Sequence, residues 1–240
     1  MPKELIWNDD LVQKFWTYYS DKTETYYAEV FGNIFVYDYK KYIPNNGICI
    51  DYGCGSGGLV KSLLNQNIKT IGIDDNTRSV ELLKKRFKKN DYLVGSFSIQ
   101  EVKKQKIKAD VIFSLEAIEH VLESRLTEYF TNIKSLIKEN GIFIISCPND
   151  EDIENGKVYC PESDKVFHPT QHMRSLNKEN IKSFVESYGF ENIEIIETDL
   201  SCHYRYSKSN YYKMKLREMK ASLFGYAIQK PHLIAIFKNK

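Results

Sequence analysis

Three potential metal or proton ligands crowd into one short run, Ser114-Leu115-Glu116-Ala117-Ile118-Glu119-His120, and two further histidines, His168 and His172, stand far downstream in His168-Pro169-Thr170-Gln171-His172. Two carboxylates with imidazole nitrogen suit Mg²⁺ or Mn²⁺ better than zinc, because no cysteine pair accompanies them. A cation held there would activate an oxygen nucleophile. On its own an E-x-x-E-H run also fits the solvated start of a helix. A second reactive feature is the glycine loop Asp51-Tyr52-Gly53-Cys54-Gly55-Ser56-Gly57-Gly58, which follows the apolar run 48–52. Glycine lets backbone approach a ligand closely. Such loops also serve as plain tight turns, but Asp74 closes the next apolar run, about where an acid would grip ribose hydroxyls in a doubly wound nucleotide fold. Cys160-Pro161-Glu162 invites a zinc reading, yet Ser163 occupies the position that would complete a C-x-x-C pair.

The elements that must position these residues can be read from periodicity. Short β-branched runs at 48–52, 69–74, 92–94, 110–115 and 142–147 alternate with helical spacing at 57–66, 77–89 and 124–139, which predicts an α/β fold with a parallel sheet covered on both faces. Glu116, Glu119 and His120 then fall at the carboxyl edge of the fourth strand, where open α/β sheets bind their substrates. Residues 8–43 read as helical, with Leu11, Phe15, Trp16 and Tyr19 and then Val30, Phe31, Ile34 and Phe35 at spacings of three and four. After Pro148 comes an irregular polar stretch to about Leu176. A helix that Asn177 could cap and Gly189 could end follows, then strands at 191–198 and 232–237. Neither a repeat nor a low-complexity linker interrupts the chain. One domain over 1–240 is expected, with a helical lid (1–46), a core (47–147) and a loop, helix and strand region (148–240).

Composition narrows the function classes. The 240 residues carry 34 basic and 32 acidic side chains, a formal charge of +2, which argues against a histone-like or polyanion-coating protein and against a nucleic-acid partner. The strongest apolar runs, 141–147 and 233–237, fall short of the roughly 18 residues of a membrane helix. Glu4, Asn8, Asp9 and Asp10 stand where a signal peptide would be apolar, and the five cysteines are odd in number without a C-x-x-C. A cytoplasmic location with reduced thiols is the expectation.

The glycine loop resembles the first motif of class I S-adenosylmethionine-dependent methyltransferases, which place an acid before G-x-G-x-G as Asp51 stands before Gly53, Cys54, Gly55, Ser56 and Gly57. The resemblance extends over roughly 47–147, through Ile71-Gly72-Ile73-Asp74, Val94-Gly95-Ser96-Phe97, Asp110-Val111-Ile112-Phe113 and Asn140-Gly141-Ile142-Phe143-Ile144. It implies a Rossmann-like, doubly wound sheet of seven strands in the order 3-2-1-4-5-7-6, the seventh antiparallel, with an insertion between the last two strands. It implies S-adenosylmethionine as cofactor, with Asp51, Gly53, Cys54, Gly55 and Gly57 at the methionine portion, Asp74 on the ribose, Ser96 and Phe97 beside adenine, and Leu115 on the same wall. Many relatives have Asp where Ser96 stands. The E-x-x-E-H run is similar to that of metal-assisted ubiquinone-biosynthesis O-methyltransferases and small-RNA 2′-O-methyltransferases, in which a later histidine completes the site. That likeness implies a divalent metal, Mn or Mg, on Glu116, Glu119, His120 and His172, with His168 as general base or spare ligand.

Between the last two strands, residues 201–220 carry Arg205, Lys208, Lys213, Lys215, Arg217 and Lys220 against one acid, Glu218, with Tyr204, Tyr206, Tyr211 and Tyr212 interleaved. A solvated basic helix, a pocket wall gripping phosphate or carboxylate, and an RNA-binding surface all fit. In the topology implied by the resemblance this segment overhangs the acceptor. The expected acceptor is a small molecule with an oxygen nucleophile and an anionic group, such as a phosphorylated or nucleotide-linked intermediate of surface-polysaccharide assembly, held by Arg174 and Arg205. An RNA 2′-O-methyltransferase and a catalytically silent cofactor-binding subunit are the alternatives.

Overall fold

A computed structural model describes residues 2–22, 24 and 26–240. Seven strands form the central sheet: β1 (Ile48–Tyr52), β2 (Lys69–Asp74), β3 (Leu93–Ser98), β4 (Ala109–Leu115), β5 (Ile137–Pro148), β6 (Phe190–Thr198) and β7 (His232–Asn239). Their order is 3-2-1-4-5-7-6, as expected. All neighbours pair in parallel except β7, which runs antiparallel to both β5 and β6.

Alternation along the central strands assigns each residue to one of two cores. Ile50, Ile112, Phe143 and Ile145 pack with Phe130 and Ile133 on one face. Cys49, Val111, Phe113 and Ile144 pack with Phe35 and Leu59 on the other. Withdrawing a ring such as that of Phe113 from water contributes about 1.5–3 kcal/mol, and because both faces are covered the strands read as continuous apolar runs rather than alternating ones.

The longer helices are α1 (Asp9–Tyr19), α2 (Tyr27–Tyr39), α3 (Gly58–Leu64), α4 (Thr77–Arg86), α5 (Leu126–Leu136), α6 (Ile181–Glu186) and α7 (Lys208–Phe224). The N-terminal helical stretch is therefore two helices. Asn8 caps the first by accepting from the Leu11 N–H at 3.0 Å, and the second begins at Tyr27. Thr23 and Thr25 lie outside the described residues. The last predicted helix is shorter than its cap signals implied. Asn177 and Asn180 bond each other's backbone in a preceding turn, so α6 starts only at Ile181.

The stretch after Pro148 is less irregular than its sequence suggests. Val158–Cys160 and Lys165–Phe167 form an antiparallel hairpin, and Lys3–Glu4 adds to it in parallel. Three-residue strands are too short to display alternation, which is why the pattern hid them. The basic segment also departs from expectation. Ser207 caps α7 through the Asn210 N–H, Gly225 ends it at φ +73°, and residues ahead of it pack against α2 through the Phe31–Tyr206 rings (5.3 Å) and His203–Asp38 (3.2 Å). It lies against α2 rather than over the site described next.

Candidate functional site

A cavity of about 510 Å³ opens at the carboxyl ends of β1, β2 and β4, roofed by α1 and the start of α2. The glycine loop forms its floor. Gly53 and Cys54 donate backbone N–H bonds to the Ile73 carbonyl at 2.8 and 3.0 Å, fixing the loop to β2. Gly55 takes φ +49°, and a Cβ there would sit 2.7 Å from the Tyr26 ring, so glycine serves both the turn and the close approach of that ring. Asp74 accepts from the Gly55 N–H and the Asn76 N–H, each at 2.8 Å. Burial pushes its carboxyl up to about 6 despite both bonds. Asp51 is 2% exposed with Oδ2 unpartnered, and burial, reinforced by Asp74, pushes it up to about 8. Cys54 is buried beneath the loop, and Leu115 stands on the cavity wall.

Ser96 and Phe97 need a correction. The Ser96 hydroxyl donates to the Val80 carbonyl at 3.2 Å, turned into α4, and neither residue lines the cavity. Ser79 and Ile99 form the wall in that region.

The E-x-x-E-H run sits on the opposite side. Glu116 follows the last residue of β4 in the left-handed region at φ +47°, a strained conformation for a glutamate. Its N–H donates to the Ser146 carbonyl at 3.0 Å and its Oε1 accepts from the Ser146 hydroxyl at 2.9 Å. Removal from water pushes it up to about 7. Glu119 follows on the one-turn helix Ile118–His120, 1% exposed, with neither carboxylate oxygen hydrogen-bonded. Burial, and then Glu116, hold it well above the ordinary carboxylate range. The His120 Nδ1 is likewise without a partner, and burial, followed by His172, pushes that imidazole down to about 3.

The distant loop closes this corner. Met173 donates its N–H to the Glu119 carbonyl at 2.8 Å, and the Gln171 amide donates to the His120 carbonyl at 2.9 Å. Glu119, His120 and His172 each offer a ligand atom within 4.8 Å of the others. Glu116, by contrast, is not in that group; its carboxylate is held by Ser146. Glu151 bonds the His172 Nδ1 and so directs the ring's other nitrogen, the arrangement by which carboxylates orient ligating histidines.

Three assigned roles do not match the geometry. His168 is 6% exposed, linked through Nδ1 to the Thr170 hydroxyl at 3.0 Å and through Nε2 to Glu151 at 3.5 Å, and it does not line the cavity, so a base at this position does not face an acceptor. It belongs instead to a second group with Glu151 and His172. Arg174 points its guanidinium at the Ile118 and Val121 carbonyls and at Glu123, bracing the turn that carries Glu119 from behind. Arg205 stacks on Tyr37, 3.3 Å from the ring centre, away from the cavity. Cys160 joins neither ligand group.

Two residues that link the roof to this corner carry no sequence signal. Gln171 sits at 0% exposure with φ +61°, and its Oε1 accepts from the Trp16 indole N–H at 3.0 Å. The Trp16 ring also packs edge-on against His120, with ring centres 4.7 Å apart. Nothing in the periodicity of 8–43 or in the polar stretch 148–176 pairs those positions.

Sheet order, glycine loop and acid at the end of β2 together define the class I S-adenosylmethionine-dependent methyltransferase fold. The family described as "Methyltransferase domain" matches residues 26–195, and the chain belongs to that family. A ubiquinone biosynthesis O-methyltransferase from Pelagibacter ubique (strain HTCC1062) is 35% identical over 104 residues, 42% of this chain and 41% of that protein, so the match spans less than half the length of that relative. Among solved structures, a SAM-dependent methyltransferase from Archaeoglobus fulgidus superposes with a TM-score of 0.62 at 16% identity, covering 93% of this chain and 99% of the other. Phosphoethanolamine N-methyltransferase 2 of Haemonchus contortus, solved with S-adenosyl-L-methionine, gives 0.57 at 17% identity, covering 94% and 60%. At such identities the likeness is one of fold.

Proposed function

We propose that the chain transfers the methyl group of S-adenosylmethionine to an oxygen of a small-molecule acceptor, with Mn²⁺ or Mg²⁺ held by Glu119, His120 and His172. The observation that carries this reading is the buried, unpartnered carboxylate of Glu119 beside the unpartnered His120 Nδ1, a donor set that a divalent cation would satisfy. The name of the Pelagibacter relative supports an oxygen acceptor. On the cofactor side, Asp74 would accept the ribose hydroxyls, and Gly53 and Gly55 would bring backbone against the methionine portion.

A bound cation would lower the pKa of the acceptor hydroxyl and fix its oxygen in line with the sulfonium methyl. Transfer is then a direct displacement: the carbon–sulfur bond breaks as the carbon–oxygen bond forms, and the hydroxyl proton must leave. Glu116 replaces His168 as the group to take it. It lines the cavity, its Oε1 is occupied by Ser146, its Oε2 remains, and its affinity for a proton near neutrality suits a general base.

The acceptor's character follows from the wall. Phe15, Trp16, Tyr19, Tyr26 and Tyr27 line the cavity, and its one basic side chain among the described residues, Arg125, pairs with Asp9 (3.5 Å) and Glu128 (2.9 Å). With Arg174 and Arg205 engaged elsewhere, an anionic acceptor would depend on the cation for its countercharge. The geometry favours a hydroxyl on an aromatic or apolar body over a sugar phosphate.

Incubation of methyl-labelled cofactor with fractionated metabolites, with Mn²⁺ or chelator, tests the reading. Label on oxygen of a small hydrophobic product, lost in chelator, is the expected result; full incorporation in chelator would remove the cation from the mechanism. Asp74→Ala should weaken cofactor and S-adenosylhomocysteine binding by about 1.5–3 kcal/mol, since an ionised acceptor is lost. Unchanged affinity by calorimetry would take Asp74 out of the site.

A further inference from the structure

We propose that the outer face of α7 docks the protein on an anionic phospholipid bilayer. Helix α7 runs 17 residues, about 25 Å, and only Met214 is buried along it. The inner side is accounted for: the Asn210 side chain donates to the Ser201 carbonyl at 3.4 Å and the Tyr211 ring meets Tyr204 at 5.7 Å. The outer side carries Tyr212, Leu216, Met219 and Leu223, spaced four, three and four, which is a single stripe along a helix. Leu223 and Phe224, at its end, are 74% and 76% exposed. Contiguous apolar area of this kind marks an interaction surface.

What covers it is decided by charge. Successive helix positions turn by about 100°, which sets Lys208 and Lys215 along one flank of the stripe and Lys213 and Lys220 along the other. Among the described residues, only Lys215 of the basic side chains on α7 is in an ion pair, with Glu218 at 2.8 Å. An isologous contact with a second copy would set lysine rows against each other. Nucleic acid would meet the charge but leave the leucine and methionine side chains uncovered. An acyl boundary beneath anionic headgroups takes both: the stripe enters the hydrocarbon edge while the lysine stems snorkel to the phosphates.

The test is co-sedimentation of the full chain with phosphatidylcholine vesicles, with and without about one third phosphatidylglycerol, at low and high salt. Binding about tenfold or more stronger on the anionic vesicles, weakened by salt, is expected. Leu216→Ser with Leu223→Ser, and separately Lys213→Glu with Lys220→Glu, should each abolish that preference. All four positions are exposed, and circular dichroism should show both variants folded. Equal partition to both vesicles, no binding to either, or variants that bind like the wild type overturn the proposal. So does a dimer in solution that Leu216→Ser dissociates, which would assign the stripe to a second copy.

Discussion

Glu119→Gln is expected to cut methyl transfer by about 100-fold or more while leaving the protein at least as stable as the parent. The two halves of that expectation have one origin. Glu119 is buried with neither oxygen hydrogen-bonded, beside a neutral His120 whose Nε2 lies 3.8 Å away, and with Glu116 nearby, so folding alone gains nothing from its charge. A buried carboxylate without a partner costs free energy, and a neutral amide of the same shape relieves part of that cost. If the group exists for stability, its replacement should destabilise; if it exists to hold a cation, only turnover should suffer. His172→Ala should reproduce the loss of turnover. Calorimetry should find S-adenosylmethionine affinity nearly unchanged in both variants, because these side chains act on the acceptor rather than on the sulfonium. A Glu119→Gln enzyme with full turnover would return the corner to ordinary cavity lining.

The second large effect is on stability against pH. In the cofactor-free, chelator-treated protein, the melting temperature should fall as pH rises from 6.5 to 8. Asp51 and Glu116 are pushed up to about 8 and 7, chiefly by burial. In that window the folded chain therefore holds more protons than the unfolded one, and the stability these groups provide at low pH is lost as pH passes through their folded values. His120, held down to about 3, works in the opposite sense, costing stability as pH falls below 6.5. Just above 6.5 the unfolded imidazole is still partly protonated, so His120 opposes the fall by about a few tenths of a kcal/mol, less than Asp51 alone contributes. For Asp51 alone the loss is on the order of 2 kcal/mol, and Asp51→Asn should flatten the slope. A melting temperature that rises with pH across this window would refute the assignment.

Much of this was legible because the signals were local. Strand, glycine loop and acid follow one another within β1, its turn and β2, so composition and order alone located Asp51, Gly55 and Asp74. What escaped depends on where side chains turn. Arg174 stands two positions from His172 and reads as an anion grip, yet backbone carbonyls of the 118–121 turn claim its guanidinium. Ser96 stands where many relatives carry Asp, and its hydroxyl turns into α4. Glu151, the residue that orients His172, lies in a polar stretch without period, and its partner is brought to it only by the chain's return past Leu176.

The link from Trp16 through Gln171 to the His120 carbonyl bears on how the cavity exchanges its contents. Helix α1 is fastened to the same loop that carries His172. The parallel pairing of Lys3–Glu4 with Lys165–Phe167 adds a second rivet farther along that loop. Roof and loop are thus fastened to each other at two places. On the proposed reading, any displacement of α1 away from the cavity would also pull on the donors around Glu119, so cofactor exchange and the grip on a cation would be mechanically geared to each other.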